Sequence, residues 1–161
     1  MSQVLLKLFS SYFKLFFKNF SKENISSQLL KGSISLNKCE FNEKVIQAYL
    51  GFNRLRVRAM HAAFVEIRAP LTKLKSKAPT LTIKQLRLEL VEPTHLTQRA
   101  RLAAVDEPVP EYKNNFVNAT LDNMSVIVEQ ALIVVQLRGE ACPRVEIRIE
   151  NLEMQAGTKK E

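Results

Sequence analysis

The feature that most constrains this chain is an alternating run of side chains between Arg54 and Pro70. The apolar positions of the run are Leu55, Val57, Ala59, Ala63, Val65, Ile67 and Ala69, and the charged positions are Arg54, Arg56, Arg58, Glu66 and Arg68. A period of two places successive side chains on opposite faces of an extended backbone. The run therefore predicts a long β-strand with one apolar face and one charged face, and with a bend near His61.

A shorter pattern recurs four times, beginning at Ile34, Leu81, Ala119 and Val145. In each copy, alternating apolar residues are interrupted by two consecutive polar residues, and the alternation then resumes. The apolar side chains in the second half of such a strand would point to the opposite face of the sheet unless a β-bulge absorbed the extra residue. The copies favour strands that bend while one face stays apolar, although ordinary bulges in a β-sandwich fit the pattern equally well.

The charge of the chain is unevenly distributed. The 161 residues suffice for one domain with its own core, and the formal net charge is +8. Cations cluster before residue 20 and again between Arg54 and Lys77, where Glu66 is the only acidic residue. This distribution indicates an anionic partner, either nucleic acid or the surface of a membrane.

The first twenty residues predict an amphipathic helix over 2–20. Apolar side chains recur at steps of three and four, and lysines occupy the opposite stripe. The apolar stripe either packs on the sheet or, in addition, lies on lipid with the lysines towards the headgroups. The residues assigned to this membrane-facing helix are Leu5, Lys7, Phe9, Phe13, Lys14, Phe16, Phe17 and Lys18.

Turn and capping residues position the other elements. We predict strands at 25–30, 33–41, 54–70, 80–91, 116–129, 131–137 and 144–154, helices at 43–50 and 94–104, and a proline-containing loop at 106–111. Asn42 is the expected N-cap of the helix at 43–50, and Gly51 its end. The expected fold is a single mostly β, α+β domain over 1–161, with parts at 1–20, 24–93, 94–114 and 115–156.

Residues with reactive side chains are few. Cys39 occupies an apolar position of its repeat and is expected to be a buried, reduced thiol. His61, His95 and the acidic residues of 106–111 form no catalytic or metal-ligating spacing, and no phosphate-binding loop or nucleophile motif occurs. We therefore expect that the protein is not an enzyme and uses no metal or organic cofactor. No signal peptide is recognisable, so we expect a cytoplasmic protein.

The amphipathic helix at 2–20 and the short helix at 43–50 are too small to cover the apolar faces of about six long strands. The uncovered surface must meet another sheet, another chain or lipid. A nucleic-acid-binding module, a basic peripheral membrane module and a protein-docking scaffold are the alternatives. Nucleic acid is disfavoured because the aromatic residues that would stack on bases are concentrated in the first helix instead of being interleaved with the arginines.

The order of these motifs resembles the N-terminal chorein domain of the bridge-like lipid transfer proteins, the chorein and vacuolar protein sorting family, and is similar to its endosome-associated subgroup. The resemblance covers about residues 2–93. It rests on the aromatic helix, the turn at Lys31 and Gly32, the repeat from Ile34, the long strand and the strand ending at Pro93. The family usually has Ile-Pro-Trp where this chain has Ala-Pro-Leu at 69–71, so the proline that ends the strand is kept and the tryptophan is not.

The resemblance implies a strongly bent antiparallel sheet that forms an open half-tube, capped by the N-terminal helix. Its apolar floor would bind glycerophospholipids as cargo at membrane contact sites. The chain would be the first segment of a longer protein, peripheral on a membrane such as the endoplasmic reticulum, and continued by further repeats or a partner protein. The floor residues are Ile34, Leu36, Leu55, Val57, Val65, Ile67, Leu81, Ile83, Leu86, Leu88, Leu121, Met124, Val126, Val128, Val145, Ile147 and Ile149.

Overall fold

Five strands form one open sheet in the order β1-β2-β3-β4-β5. The computed structural model of the protein describes residues 13–20, 33–68, 79–93, 124–138 and 143–155. Its elements are β1 (Ser33–Glu40), α1 (Glu43–Leu50), β2 (Arg56–Arg68), β3 (Thr80–Val91), β4 (Ser125–Gln136) and β5 (Arg144–Gln155). Strands make up most of the described residues, as the alternating patterns predict.

The sheet is mixed, so the prediction of an antiparallel sheet was wrong at one pair of strands. β1 with β2, β2 with β3, and β4 with β5 are antiparallel, whereas β3 and β4 are parallel. Parallel neighbours need a long crossover connection, and residues 92–124 between β3 and β4 provide it. The side-chain alternation is the same in both orientations, so the sequence pattern could not distinguish them.

The predicted bounds of α1 and β3 are confirmed, and those of β1, β2 and β5 agree within about two residues. In α1 the Asn42 side chain accepts a hydrogen bond from the backbone N–H of Lys44 at 3.2 Å, and Gly51 ends the helix with φ 61°. Strand structure is confirmed at 125–129 and 131–136, but the predicted break between two strands was wrong, because β4 runs without interruption through Gln130; residues 116–123 lie outside the described part of the chain. The elements predicted at 25–30, 94–104 and 106–111 lie outside the described residues.

The predicted N-terminal helix ends earlier than expected. Residues 13–16 are helical, but Phe17 forms an antiparallel bridge with Phe41. The backbone N–H of Lys18 donates to the carbonyl oxygen of Glu40 at 2.8 Å, and the N–H of Asn42 donates to that of Phe16 at 2.7 Å. The extension to Phe20 was wrong, because these backbone groups bond to the end of β1. Residues 2–12 lie outside the described part of the chain.

In all five described strands the apolar alternation slips by one residue at the same height in the sheet. The paired row of Leu36, Val65, Ile83, Val128 and Leu152 is separated from the next row, Cys39, Ala62, Leu86, Ala131 and Ile149, by two residues in each strand. We call these five intervening pairs the bulge line: 37–38, 63–64, 84–85, 129–130 and 150–151. Because all five strands share the slip, pairing resumes in register beyond it.

The bulge line confirms the mid-strand slip predicted for β1, β3 and β5. Lys38, Gln85 and Asn151 adopt left-handed backbone conformations with φ of 51°, 51° and 56°. A left-handed residue lets a strand absorb an extra residue while the apolar side chains before and after it share one face. In the copy that begins at Ala119, the predicted slip at Asp122 and Asn123 lies outside the described residues, and β4 has a slip at Glu129 and Gln130.

The simple alternation predicted for β2 was wrong in the middle of the strand. Ala62 is buried and Ala63 exposed, and the pairing with β3 shifts again between Val57 and Ala59. His61, which has the predicted apolar parity, is therefore exposed. Small side chains at these positions hid the slip, since alanine is compatible with either face.

Candidate functional site

The apolar face of the sheet is built from five rows of directly paired side chains. Paired residues of neighbouring strands lie side by side on the same face. The rows are Ile34, Ile67, Leu81, Val126 and Met154; Leu36, Val65, Ile83, Val128 and Leu152; Cys39, Ala62, Leu86, Ala131 and Ile149; Met60, Leu88, Ile133 and Ile147; and Val57, Leu90, Val135 and Val145. The apolar face is thus continuous across the sheet, because three of the rows run from β1 to β5 and the other two from β2 to β5.

Exposure along these rows changes abruptly at the last strand. In the second row, Val65 is 2% exposed, Ile83 7% and Val128 4%, whereas Leu152 is 36% exposed. The same step occurs elsewhere, since Val145, Ile147 and Met154 of β5 are also exposed. The apolar face is therefore a packed core over most of its width and an accessible surface along β5.

Aromatic side chains complete the core on the β1 side of the sheet. Phe13 and Phe17 are buried with their ring centroids 5.6 Å apart, and the ring of Phe17 lies 4.6 Å from that of Phe41. Ile46 of α1 belongs to the same cluster. These residues and the apolar side chains of β1–β3 form one hydrophobic unit.

The residues predicted to form the floor divide into three groups by burial. The buried group is Ile34, Leu36, Val57, Val65, Ile83, Leu88 and Val128; the half-buried group is Leu55, Ile67, Leu81, Leu86, Met124, Val126 and Ile149; the exposed group is Val145 and Ile147. Leu121 lies outside the described residues. Only the third group, with parts of the second, presents area to a ligand.

Two exposed residues of this surface were not among the predicted floor residues. Leu152 and Met154 follow the bulge in β5 and pair with Val128 and Val126. The repeat pattern contained the signal, because Leu86 and Leu88 occupy the same places after the bulge in β3. Treating the two halves of each repeat alike would have found them.

The described part of the predicted membrane-facing helix points largely into the protein. Phe13 is 4% exposed and Phe17 8%, and Phe16 is half-buried. Lys14 is exposed. Leu5, Lys7 and Phe9 lie outside the described residues. The phenylalanines at 13 and 17 thus serve the core.

Lys18 is engaged in ion pairs at the surface. Its Nζ lies 3.4 Å from a carboxylate oxygen of Glu40 and also pairs closely with Glu43. The hydrogen bond to Glu43 raises the pKa of Lys18 above its ordinary value. Partial burial opposes ionisation of Glu43, but the hydrogen bond from Lys18, a backbone hydrogen bond and the nearby positive charge together outweigh burial, so the pKa of this carboxyl is lowered. The ion pair between Lys18 and Glu43 connects the segment 13–20 to the first residue of α1.

The opposite face of the sheet carries a polar depression of about 490 Å³ along the bulge line. Lys84 pairs with Glu129 at 3.1 Å and its Nζ lies 5.8 Å from the ring centroid of Phe64. The other lining residues are Ala63, Gln85, Gln130, Glu150 and Asn151. These side chains suit water and one another, so this depression is not a place for an apolar ligand.

Cys39 is buried, as predicted, and burial raises the pKa of its thiol to about 11.

Within the described ranges, no group of three or more His, Cys, Asp or Glu residues could hold a metal ion. No helix among the same residues is long and apolar enough to cross a membrane. The large apolar side chains that are exposed among the described residues lie along β5 and around the C-terminal end of α1. A scan against models of known protein families and a search of curated proteins both find no match to this chain.

Proposed function

We propose that the protein binds the acyl chains of glycerophospholipids on the apolar face of its sheet, as a segment of a bridge-like lipid transfer protein at membrane contact sites. The observation that carries this proposal is the exposure of Val145, Ile147, Leu152 and Met154 in β5. These side chains continue rows that are buried elsewhere in the sheet. An apolar surface continuous with a core is typical of a binding site for an apolar ligand.

The size of the hydrophobic effect explains why such a site needs no polar group. Two acyl chains contain on the order of thirty methylenes, and exposing them to water costs roughly 25 kcal/mol at about 0.8 kcal/mol each. An apolar face removes most of this cost, and the bilayer removes it again when the lipid leaves. Transfer is then nearly neutral in free energy, headgroups stay in water, and no catalytic residue takes part.

The bulge line supports a curved shape for this face. The apolar alternation slips side by side in all five described strands, and β1, β3 and β5 pass through a left-handed residue at that point. We propose that the sheet bends along this line around its apolar face, as an open half-tube whose β1 side is closed by the N-terminal helix. A curved face surrounds a cylindrical acyl chain better than a flat one does.

β5 is also the strand on which a longer assembly would build. Among the described strands, β5 pairs only with β4, so its other edge carries unpaired backbone groups. In a longer chain, or with a partner protein, further strands at this edge would prolong the apolar rows. The lipid-binding surface would then become a continuous channel.

Native mass spectrometry of the purified protein tests the proposal. We expect the protein to retain glycerophospholipid from the expression host and the I147D/L152D variant to lose it. The matched control is R148D, which makes the same change of net charge on a side chain of β5 that is 80% exposed, and which should retain the lipid. Absence of lipid from the original protein, or full loading of a folded I147D/L152D variant by circular dichroism, would refute the proposal.

A further inference from the structure

We infer that the C-terminal end of α1 and the loop after it dock the protein onto the surface of an anionic membrane. We call Tyr49, Leu50 and Phe52 the apolar tip; they are 50%, 41% and 36% exposed. The inference rests on the proposed function, since a protein that carries phospholipid must reach a bilayer. It names the contact by which this chain would do so.

The apolar tip is held in a fixed shape by one side chain. Nε2 of Gln47 donates hydrogen bonds to the carbonyl oxygens of Phe52 at 2.7 Å and Leu55 at 3.0 Å. Oε1 of the same side chain accepts a hydrogen bond from the backbone N–H of Val57 at 2.6 Å. The loop is therefore pre-organised, and it loses little conformational entropy when its apolar side chains enter another phase.

The apolar tip is also supported by the core. The ring of Tyr49 lies 5.2 Å from that of half-buried Phe16, which belongs to the aromatic cluster on the β1 side. Three large apolar side chains thus project from a rigid base into solvent. This arrangement suits insertion into the interfacial region of a bilayer, where aromatic and aliphatic side chains replace water with lipid.

The charge next to the apolar tip selects an anionic surface. Arg54, Arg56 and Arg58 follow the tip directly and are all exposed. Among the described residues, none forms an ion pair with these three arginines, whereas Arg68, Arg87 and Arg148 each lie beside a carboxylate. Apolar side chains flanked by unpaired cations are typical of segments that bind acidic lipid headgroups.

The location of the apolar tip connects it with the lipid-binding face. β2 starts immediately after the tip, and Val57 begins the row that passes through Leu90 and Val135 to exposed Val145. This row is the one closest to the tip end of the sheet. A bilayer held by the tip would therefore lie beside the end of the apolar face, where a phospholipid would enter.

Co-sedimentation with vesicles tests the docking. The vesicles are phosphatidylcholine alone, and phosphatidylcholine with about one-third phosphatidylserine to provide a negative surface potential. We expect the protein to bind the acidic vesicles more tightly. The L50S/F52S and R54Q/R56Q/R58Q variants should each lose at least about tenfold in affinity for them.

Matched variants separate a local contact from a general effect of charge. R68Q/R87Q/R148Q removes the same three charges elsewhere, and its affinity should stay within about twofold, because exposed charges beyond a Debye length are screened. The docking would be overturned if L50S/F52S and R54Q/R56Q/R58Q both bound vesicles as the original protein does, or if the two arginine triples lost affinity equally. It would also be overturned if the original protein bound no vesicles. A second copy of the chain is the other occupant that the apolar tip could contact. If L50S/F52S abolished self-association of the protein and left vesicle binding intact, the docking would also be overturned.

The same preparations distinguish this inference from the proposed function. The L50S/F52S variant should keep the phospholipid acquired during expression and lose vesicle binding. The L152S/M154S variant should lose the phospholipid and keep vesicle binding. Retained cargo with normal vesicle binding by L50S/F52S would refute the docking alone, and absence of cargo from every preparation with tip-dependent vesicle binding would refute the lipid-carrying face alone.

Discussion

The two ends of the strand order, β1–β3 and β5, carry the same sequence pattern but differ in how far its apolar side chains are buried. On β1–β3 the side chains of the apolar rows are buried or half-buried, whereas on β5 all but Ile149 are exposed. The residue types do not differ, since Leu36 and Leu152 stand at opposite ends of one row. A core and a candidate binding surface therefore differ here in what covers them, while their compositions are alike.

The cover on the β1 side comes from residues close in sequence to β1. Phe17 pairs with Phe41, and α1 follows two residues after β1 and contributes Ile46. The side chains of β5 have no comparable aromatic cluster against them in the described part of the chain. The difference gives four predictions, which run from the largest expected effect to the smallest.

The strongest test introduces one charge at a buried position and one at an exposed position of a single row. Val65→Asp places a carboxylate at a position that is 2% exposed, and we expect a loss of at least about 4 kcal/mol in the free energy of unfolding, because a buried unpaired charge is not solvated. Leu152→Asp, at 36% exposure, should cost less than about 1 kcal/mol. Urea unfolding followed by circular dichroism measures both. Similar losses in the two variants would mean that the row is covered equally at β2 and at β5.

Thiol reactivity compares the two sides without a change of charge. Burial raises the pKa of Cys39 to about 11, so at pH 8 its reaction with a thiol reagent should be slower than that of an exposed thiol by about two orders of magnitude. Ile147→Cys supplies the exposed thiol, in a chain carrying Cys142→Ser. Equal labelling rates in the folded protein would contradict the assigned burial.

The same thiol predicts a pH dependence with a definite sign. Its pKa in the folded protein, about 11, exceeds the ordinary value of 9.0. As the pH rises above 9 the unfolded chain releases the proton first, so the free energy of unfolding should fall between pH 9 and 11. Replacing Cys39 with alanine should remove this contribution, and unfolding at several pH values in that range measures it. An unchanged slope in the variant would assign it to other groups.

The smallest effect comes from exchanging residues at the bulge line. Gln85→Asn should stabilise the protein by about 0.5 kcal/mol, because asparagine adopts positive φ more readily than glutamine does. Asn151→Gln should destabilise it by a similar amount for the same reason. Thermal unfolding of the two variants measures both shifts. Opposite and equal effects would show that the backbone is alike on both sides, and that cover alone distinguishes them.

Local chemistry made some parts of the fold predictable. Asn42 and Gly51 mark the ends of α1 because a side-chain acceptor and a left-handed residue satisfy helix termini whatever lies around them. The paired polar residues before Cys39 and Leu86 marked the bulges, because only an inserted residue keeps both halves of an apolar strand on one face. These features depend on neighbours within a few residues.

Other parts depended on contacts between distant residues. The parallel pairing of β3 with β4 arises from a long connection, and alternation carries no information about it. Ala62 and Ala63 could occupy either face, so only pairing with β1 and β3 decided which was buried. Phe13 and Phe17 read equally well as core or lipid-facing residues, and their position beside Phe41 settled them as core.

The amino-acid sequence by itself determined that this chain forms long bulged strands with one apolar face, because side-chain period and bulge chemistry are local properties. Only the tertiary structure decided which part of that face became core and which stayed accessible along β5. It also decided that Tyr49, Leu50 and Phe52 project from the end of the sheet. The reason is physical: burial is set by whatever packs against a side chain, and those neighbours come from other parts of the chain.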